Sequence, residues 1–230
     1  MALDGTYEGT RAWVEDYFDR TATRTWERLT SDAPVSGIRA TVRKGRDRMR
    51  DVLLTQLPED LRGARILDAG CGTGALAVEL AKRGATVTAV DISPSLIEIA
   101  KSRCPEDVQD MITFAAGDML DATWGTFDYA MAMDSLIYYD APTVASILQR
   151  SADRVSHGFV FTLPPRTPLL MAMYRVGKLF PRSDRSPAMV PHSPTGVARA
   201  LASLGAKGHL KEIERVTSGF YISTAMEFRA

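Results

Sequence analysis

Ile66-Leu67-Asp68-Ala69-Gly70-Cys71-Gly72-Thr73-Gly74 reads as a buried strand running into a glycine-rich turn that opens a helix. Glycine at 70, 72 and 74 lets the backbone bend sharply and lets a ligand lie against bare main chain. The helix that follows, from Ala75 to Arg83, aims its free N–H groups back at the turn, which suits a polar or negatively charged group. Ala85-Thr86-Val87-Thr88-Ala89-Val90-Asp91 then reads as a second strand ending in a carboxylate, where the hydroxyls of a nucleoside ribose would lie.

Outward from this unit the chain alternates. Strands are expected at 64–68, 86–91, 111–116, 127–133 and 157–163, and helices at 74–83, 94–103, 141–154 and 195–204. Ser93-Pro94 is a helix start, with Ser as cap and Pro in the first turn. Strands at 207–216 and 219–228, with Ser218-Gly219 between them, read as a closing antiparallel hairpin. The fold class is therefore α/β, a doubly wound Rossmann-like sheet of seven strands.

Two additions are expected. Residues 1–60 form an N-terminal helical cap, with helices over 8–30 (Trp13, Tyr17, Phe18, Trp26) and 37–57 (an apolar stripe of Ile38, Val42, Met49, Val52, Leu53 and Leu57). Residues 61–230 form the main domain, interrupted at about 164–193, where Leu163-Pro164-Pro165-Arg166-Thr167-Pro168 breaks the strand pattern. Both additions would lie over the carboxyl ends of the strands, and so long an interruption is usually functional.

Composition narrows the function. The chain has 230 residues, 45% hydrophobic and 24% charged, enough for one α/β domain with additions. Its formal net charge of zero argues against nucleic acid as a main partner. Cys71 in the turn and Cys104 at a helix end do not suggest a disulfide, and a reducing compartment is expected. No apolar run is long enough to span a bilayer and the first residues are no signal peptide, so a cytoplasmic protein with at most peripheral membrane contact is expected. No Cys/His/carboxylate cluster has ligand spacing, so no protein-bound metal is expected.

The glycine spacing separates two nucleotide chemistries. A dinucleotide turn wants G-x-G-x-x-G; here it is G-x-G-x-G after an acid. The Asp-Ala-Gly-Cys-Gly-Thr-Gly form resembles motif I of the class I S-adenosylmethionine-dependent methyltransferases. Phe114-Ala115-Ala116-Gly117-Asp118-Met119 falls in register with it. The resemblance implies S-adenosyl-L-methionine as methyl donor, with Asp68, Gly70, Cys71, Gly72 and Gly74 around the methionine part and Asp91 and Ile92 at the ribose. Asp118 and Met119 would meet the adenine, with Met133 also in the donor site.

The additions carry the acceptor. Val42-Arg43-Lys44-Gly45-Arg46, Met133-Asp134-Ser135-Leu136-Ile137-Tyr138-Tyr139, Phe161-Thr162-Leu163-Pro164-Pro165-Arg166-Thr167-Pro168 and Gly177-Lys178-Leu179-Phe180-Pro181-Arg182-Ser183-Asp184-Arg185-Ser186-Pro187 resemble the magnesium-protoporphyrin IX O-methyltransferases over nearly the whole chain. The resemblance implies methyl transfer to one propionate of magnesium protoporphyrin IX in bacteriochlorophyll biosynthesis, and a magnesium chelatase subunit as a partner. A flat apolar disc with two carboxylates needs an apolar slot and cationic forks. Met173 and its neighbours Leu169, Leu170, Met171 and Tyr174 supply the first, and Arg43, Arg166, Arg182 and Arg185 the second. Tyr17 and Tyr138 are expected to orient the reacting carboxylate, with Tyr139 beside them. Of the three histidines, His192 is the one expected near the substrate and its magnesium; His157 and His209 are expected to be structural. Competing readings are a methyltransferase on another small acceptor, such as a quinone precursor or carboxylic acid, a non-catalytic nucleoside-binding module, and a Rossmann dehydrogenase.

Overall fold

The computed structural model describes residues 7–19, 37–168, 170–172 and 188–230. The central sheet is built from β1 (Arg65–Ala69), β2 (Thr86–Asp91), β3 (Ile112–Ala116), β4 (Phe127–Ala132) and β5 (Val155–Leu163), short apolar-rich runs with helical segments between them. β1 is buried at four successive positions, Ile66 to Ala69, as a parallel strand covered on both faces must be. It pairs in parallel with β2 through Ile66–Val87 and with β4 through Ile66–Tyr129. The hairpin β6 (His209–Ser218) and β7 (Tyr221–Arg229) closes the sheet, with β7 antiparallel to both β5 and β6. The strand order is β3-β2-β1-β4-β5-β7-β6, so the sheet reverses direction of build at β1 and β4.

Helices cover both faces. α1 (Tyr7–Tyr17), α2 (Gly37–Leu54), α3 (Ala75–Lys82), α4 (Pro94–Arg103), α5 (Ala141–Ala152) and α6 (Pro194–Ser203) follow in chain order. α2 and α3 bury Met49, Leu53, Leu76 and Leu80 with Ile66 and Val87 on one face; α5 and α6 bury Ile147, Leu148, Val197 and Leu201 with Phe159, Phe161 and Phe228 on the other. A third small cluster joins Val14 of α1 and Phe18, just past its end, to Leu96 of α4. The capping follows the local sequence: Ser93 Oγ accepts from Leu96 N–H at the start of α4, and Asp140 does the same for Thr143 at the start of α5.

All seven expected strands are present, with bounds shifted by one or two residues. α2 ends at Leu54 rather than 57, and the expected 8–30 helix is seen from Tyr7, with its later part outside the described residues. Most of the expected insertion also lies outside them. No helix is long and apolar enough to cross a membrane among the described residues.

Candidate functional site

A cavity of about 400 Å³ opens at the carboxyl ends of β1, β2 and β4, where the reversal of strand order leaves a crevice. Its floor is the 70–74 turn. Gly70 has φ +81°, and a Cβ there would collide with the side chain of Ser135, so the position needs glycine on both counts. Gly70 N–H donates to Val90 O at 2.7 Å and Cys71 N–H to the same oxygen at 3.1 Å, which ties the turn to β2. Ser135 Oγ donates to Ala69 O at 2.7 Å and ties β4's end to the same place.

Two buried carboxylates face this turn. Asp91 accepts Gly72 N–H at 2.8 Å and Ser93 N–H at 3.0 Å. Burial still pushes its carboxyl above the ordinary range, with those N–H groups pulling the other way. Asp68 is 1% exposed and its Oδ2 has no hydrogen-bond partner. Burial first, and the charge of Asp91 second, push the Asp68 carboxyl up to about 7. A buried carboxylate oxygen without a donor is costly unless a ligand supplies one. The α-ammonium of S-adenosylmethionine would do so. Cys71 lies in the same turn with its thiol pushed well up by burial, which makes it an apolar wall rather than a nucleophile.

At the other end, Ile92, Gly117, Asp118 and Met119 line the cavity, as the sequence led us to expect. Asp118 is engaged from an unexpected side. The hydroxyl of Tyr7 donates to its Oδ1, and Arg11 Nη1 reaches its Oδ2 at 2.9 Å. Tyr7 also stacks on Tyr139 with ring centroids 5.3 Å apart. Tyr7, Arg11 and Val14 of α1 and Phe18 just past its end all line the cavity, at spacings of four, three and four that put them on one side. That stripe was present in the sequence and was missed because the charged Arg11 interrupts its apolar pattern.

The third wall belongs to α2 and the end of β4. Arg43, Arg46 and Arg50 fall at spacings of three and four and line the cavity with Asp134 and Tyr138. Asp134 has φ +58°, an uncommon conformation for a residue other than glycine. Thr162 Oγ1 donates to its Oδ1 at 3.1 Å, Tyr221 OH donates to the same oxygen at 3.0 Å, and Arg46 Nη1 lies 3.1 Å from Oδ2. The Tyr138 hydroxyl is pushed well up, by burial first and then by Asp134. It stays protonated through the neutral range and can only donate or accept a hydrogen bond.

The remaining expected residues are scattered. Tyr139 is buried and lines the cavity. Met133 and Gly74 line it too. Tyr17 is not among the residues that line the cavity: its ring packs edge-on against Phe18, which meets Tyr138 in turn, and Tyr17 shares this small cluster with Tyr138, near enough to help raise that hydroxyl. Arg166 is exposed and lies off the cavity. His192 is corrected most plainly. It is 6% exposed, its Nε2 lies 2.9 Å from Tyr139 O, and its backbone bridges Pro164 and Arg166. Burial holds its ring toward the neutral form, so it is a brace between two segments rather than a reach toward substrate magnesium. Met173, Arg182 and Arg185 lie outside the described residues. No group of three His, Cys, Asp or Glu among the described residues could hold a metal.

Comparisons with known proteins identify the family and the fold. Residues 66–158 match the methyltransferase domain family, and residues 132–230 match the family described as magnesium-protoporphyrin IX methyltransferase C-terminus. The magnesium-protoporphyrin O-methyltransferase of Rhodobacter capsulatus is 53% identical over 99% of this chain and all of its own length. The chloroplastic magnesium protoporphyrin IX methyltransferase of Arabidopsis thaliana is 28% identical over 95% of this chain and 71% of its own. Among solved structures, the magnesium protoporphyrin IX methyltransferase of Synechocystis PCC 6803 with bound SAH superposes with a TM-score of 0.81, at 25% identity over 96% of this chain and 100% of that one. On this full-length likeness, the chain belongs to the magnesium-protoporphyrin O-methyltransferase family.

Proposed function

We propose that this protein is an S-adenosylmethionine-dependent O-methyltransferase that esterifies one propionate carboxylate of magnesium protoporphyrin IX in bacteriochlorophyll biosynthesis. The observation that carries the reading is the continuity of one cavity, from the partnerless Asp68 Oδ2 at the glycine turn to the Arg46, Asp134 and Tyr138 wall. A donor amine at the first end and an acceptor carboxylate at the second are both answered by residues present.

When bound, the donor supplies an electrophilic methyl group on a sulfonium sulfur. Asp68 would hold its ammonium, Asp91 its ribose, and Asp118 and Met119 its adenine. A propionate has a pKa of about 4.3 and is already ionised at neutral pH, so no general base is needed. The protein's work is to hold the carboxylate oxygen in line and to exclude water. Tyr138, protonated throughout, would orient the oxygen by hydrogen bonding. Phe18 and Tyr139 would seal the site, and α1 and α2 together act as the cap over the main domain. Arg43 would meet the second, unreacting propionate, and the expected Met173, Arg182 and Arg185 belong to the same acceptor reading. Delivery of the porphyrin by a magnesium chelatase subunit and peripheral membrane contact extend it; co-purification with chelatase subunits and flotation with vesicles test them separately.

The deciding experiment is turnover with S-adenosylmethionine and magnesium protoporphyrin IX, with the product read by mass. Gain of one methyl on the porphyrin is expected. No porphyrin ester, with S-adenosylhomocysteine still raising the melting temperature and NAD not doing so, would keep the donor and overturn the acceptor.

A further inference from the structure

The acceptor wall contains an arrangement that the chemistry of esterification explains. Gly45 sits where a Cβ would come within 2.7 Å of the Tyr221 ring, so α2 can lie directly on the start of β7. That close approach brings Arg46, one residue on, and the Tyr221 hydroxyl to the same carboxylate, Asp134. Thr162 fixes the group further: its Oγ1 accepts Asp134 N–H at 2.8 Å and donates to Oδ1 at 3.1 Å. The Arg46 and Asp134 side chains are 19% and 7% exposed, so solvent screens the pair poorly. Their contact is an ion pair without an aligned hydrogen bond to Asp134 Oδ2.

In esterification the acceptor carboxylate begins with one negative charge and ends neutral. A net cation beside it stabilises the starting state more than the transition state and so slows transfer. Arginine without a counter-charge would bind the substrate well and methylate it poorly. We propose that Asp134 is a positioning residue that balances Arg46, so that the pair offers directional N–H donors to the acceptor carboxylate without a net positive field. The proposal rests on the carboxylate-acceptor reading above. It assigns to Asp134 the tuning of turnover against affinity, a role distinct from contact with the donor.

D134N tests it cleanly, because Asn tolerates a left-handed backbone and keeps the side-chain shape. Acceptor affinity is read without donor, from the absorbance change when magnesium protoporphyrin IX is mixed with the protein; kcat is read by mass with donor saturating. The expected result for D134N is porphyrin binding about fivefold tighter and kcat lowered about tenfold or more. Both changes should vanish when D134N is made in the R46Q background, since the effect acts through Arg46. Binding unchanged or weaker in D134N, or the same changes persisting with R46Q, overturns the proposal. Should D134N not fold, D134G takes its place, since it also removes the charge and glycine accepts the left-handed backbone; tighter porphyrin binding with lowered kcat supports the proposal, and any other outcome overturns it. Failure of the underlying reading is separate, since wild type would then form no porphyrin ester at all.

Discussion

Replacing Asp68 by Asn should remove a pH dependence that this buried carboxyl imposes on donor binding. Asp68 is 1% exposed, has an oxygen without a donor, and is pushed up to about 7 by burial and by Asp91. Only its ionised form pairs with an ammonium. Well below pH 7 a proton must leave first, so affinity should fall toward tenfold per pH unit, or about 50-fold between pH 7 and 5, equivalent to about 2.3 kcal/mol. Stability runs in the opposite sense. The folded value lies above the ordinary 3.8, so between those values the folded chain holds a proton that the unfolded chain has lost. This group's contribution is complete at low pH and is lost as pH rises to about 7. The gap corresponds to a ceiling of about 4 kcal/mol. The ligand-free D68N protein should therefore melt higher than wild type at pH 8, with the difference closing toward pH 4, while binding donor weakly at every pH. Titration calorimetry with S-adenosylhomocysteine from pH 5 to 8, together with thermal melts, measures both. Wild-type affinity that is flat across that range, or D68N binding as tightly as wild type, would refute the reasoning. A slope that survives in D68N would assign the titration to Asp91, whose carboxyl burial also raises.

Y138F should lower kcat about tenfold with donor affinity unchanged, and Y17F should lower it less, because of these two tyrosines Tyr138 lines the cavity and Tyr17 acts through it; steady-state kinetics of both variants check the contrast. H192A should leave porphyrin affinity intact but lower stability by about 1–2 kcal/mol in chemical denaturation, because Tyr139 O loses its partner and a buried gap opens. R11M should cost only about 0.5–1 kcal/mol, since its ion pair with Asp118 is partly exposed, yet it should speed amide exchange across residues 7–17 relative to the sheet.

The donor half was legible because it is local. Asp68, the turn glycines and Asp91 lie within one strand-turn-helix-strand unit, and backbone sterics favour glycine where φ is positive. The acceptor half was less so. The arginine row of α2 was visible as charge, but its direction depends on α2 docking against β6 and β7, which no local pattern encodes. Asp134 lies in a segment that the sequence had flagged, yet its partners Arg46, Thr162 and Tyr221 come from three distant elements. His192 was misplaced for a related reason: chemistry made it a plausible reach toward magnesium, and only packing shows that its ring is spent on a carbonyl. Tyr17 and Phe18 are neighbours in sequence, and a helix turns adjacent residues by about 100°, so choosing between them requires the axis of α1.

Gly45 has a bearing on how this enzyme can diverge. The turn proposed to hold the donor is built from one contiguous stretch, whereas the wall proposed to meet the acceptor joins α2, the end of β4 and the start of β7, with a single missing methyl group setting how closely two of them come. Selection on a new acceptor could alter those three segments and leave the donor turn untouched. Any side chain at position 45 would instead displace the whole wall at once. Descendants with altered substrates should therefore retain this glycine while the polar residues around it drift, and a lineage that has lost it should have lost the ion pair beside it as well.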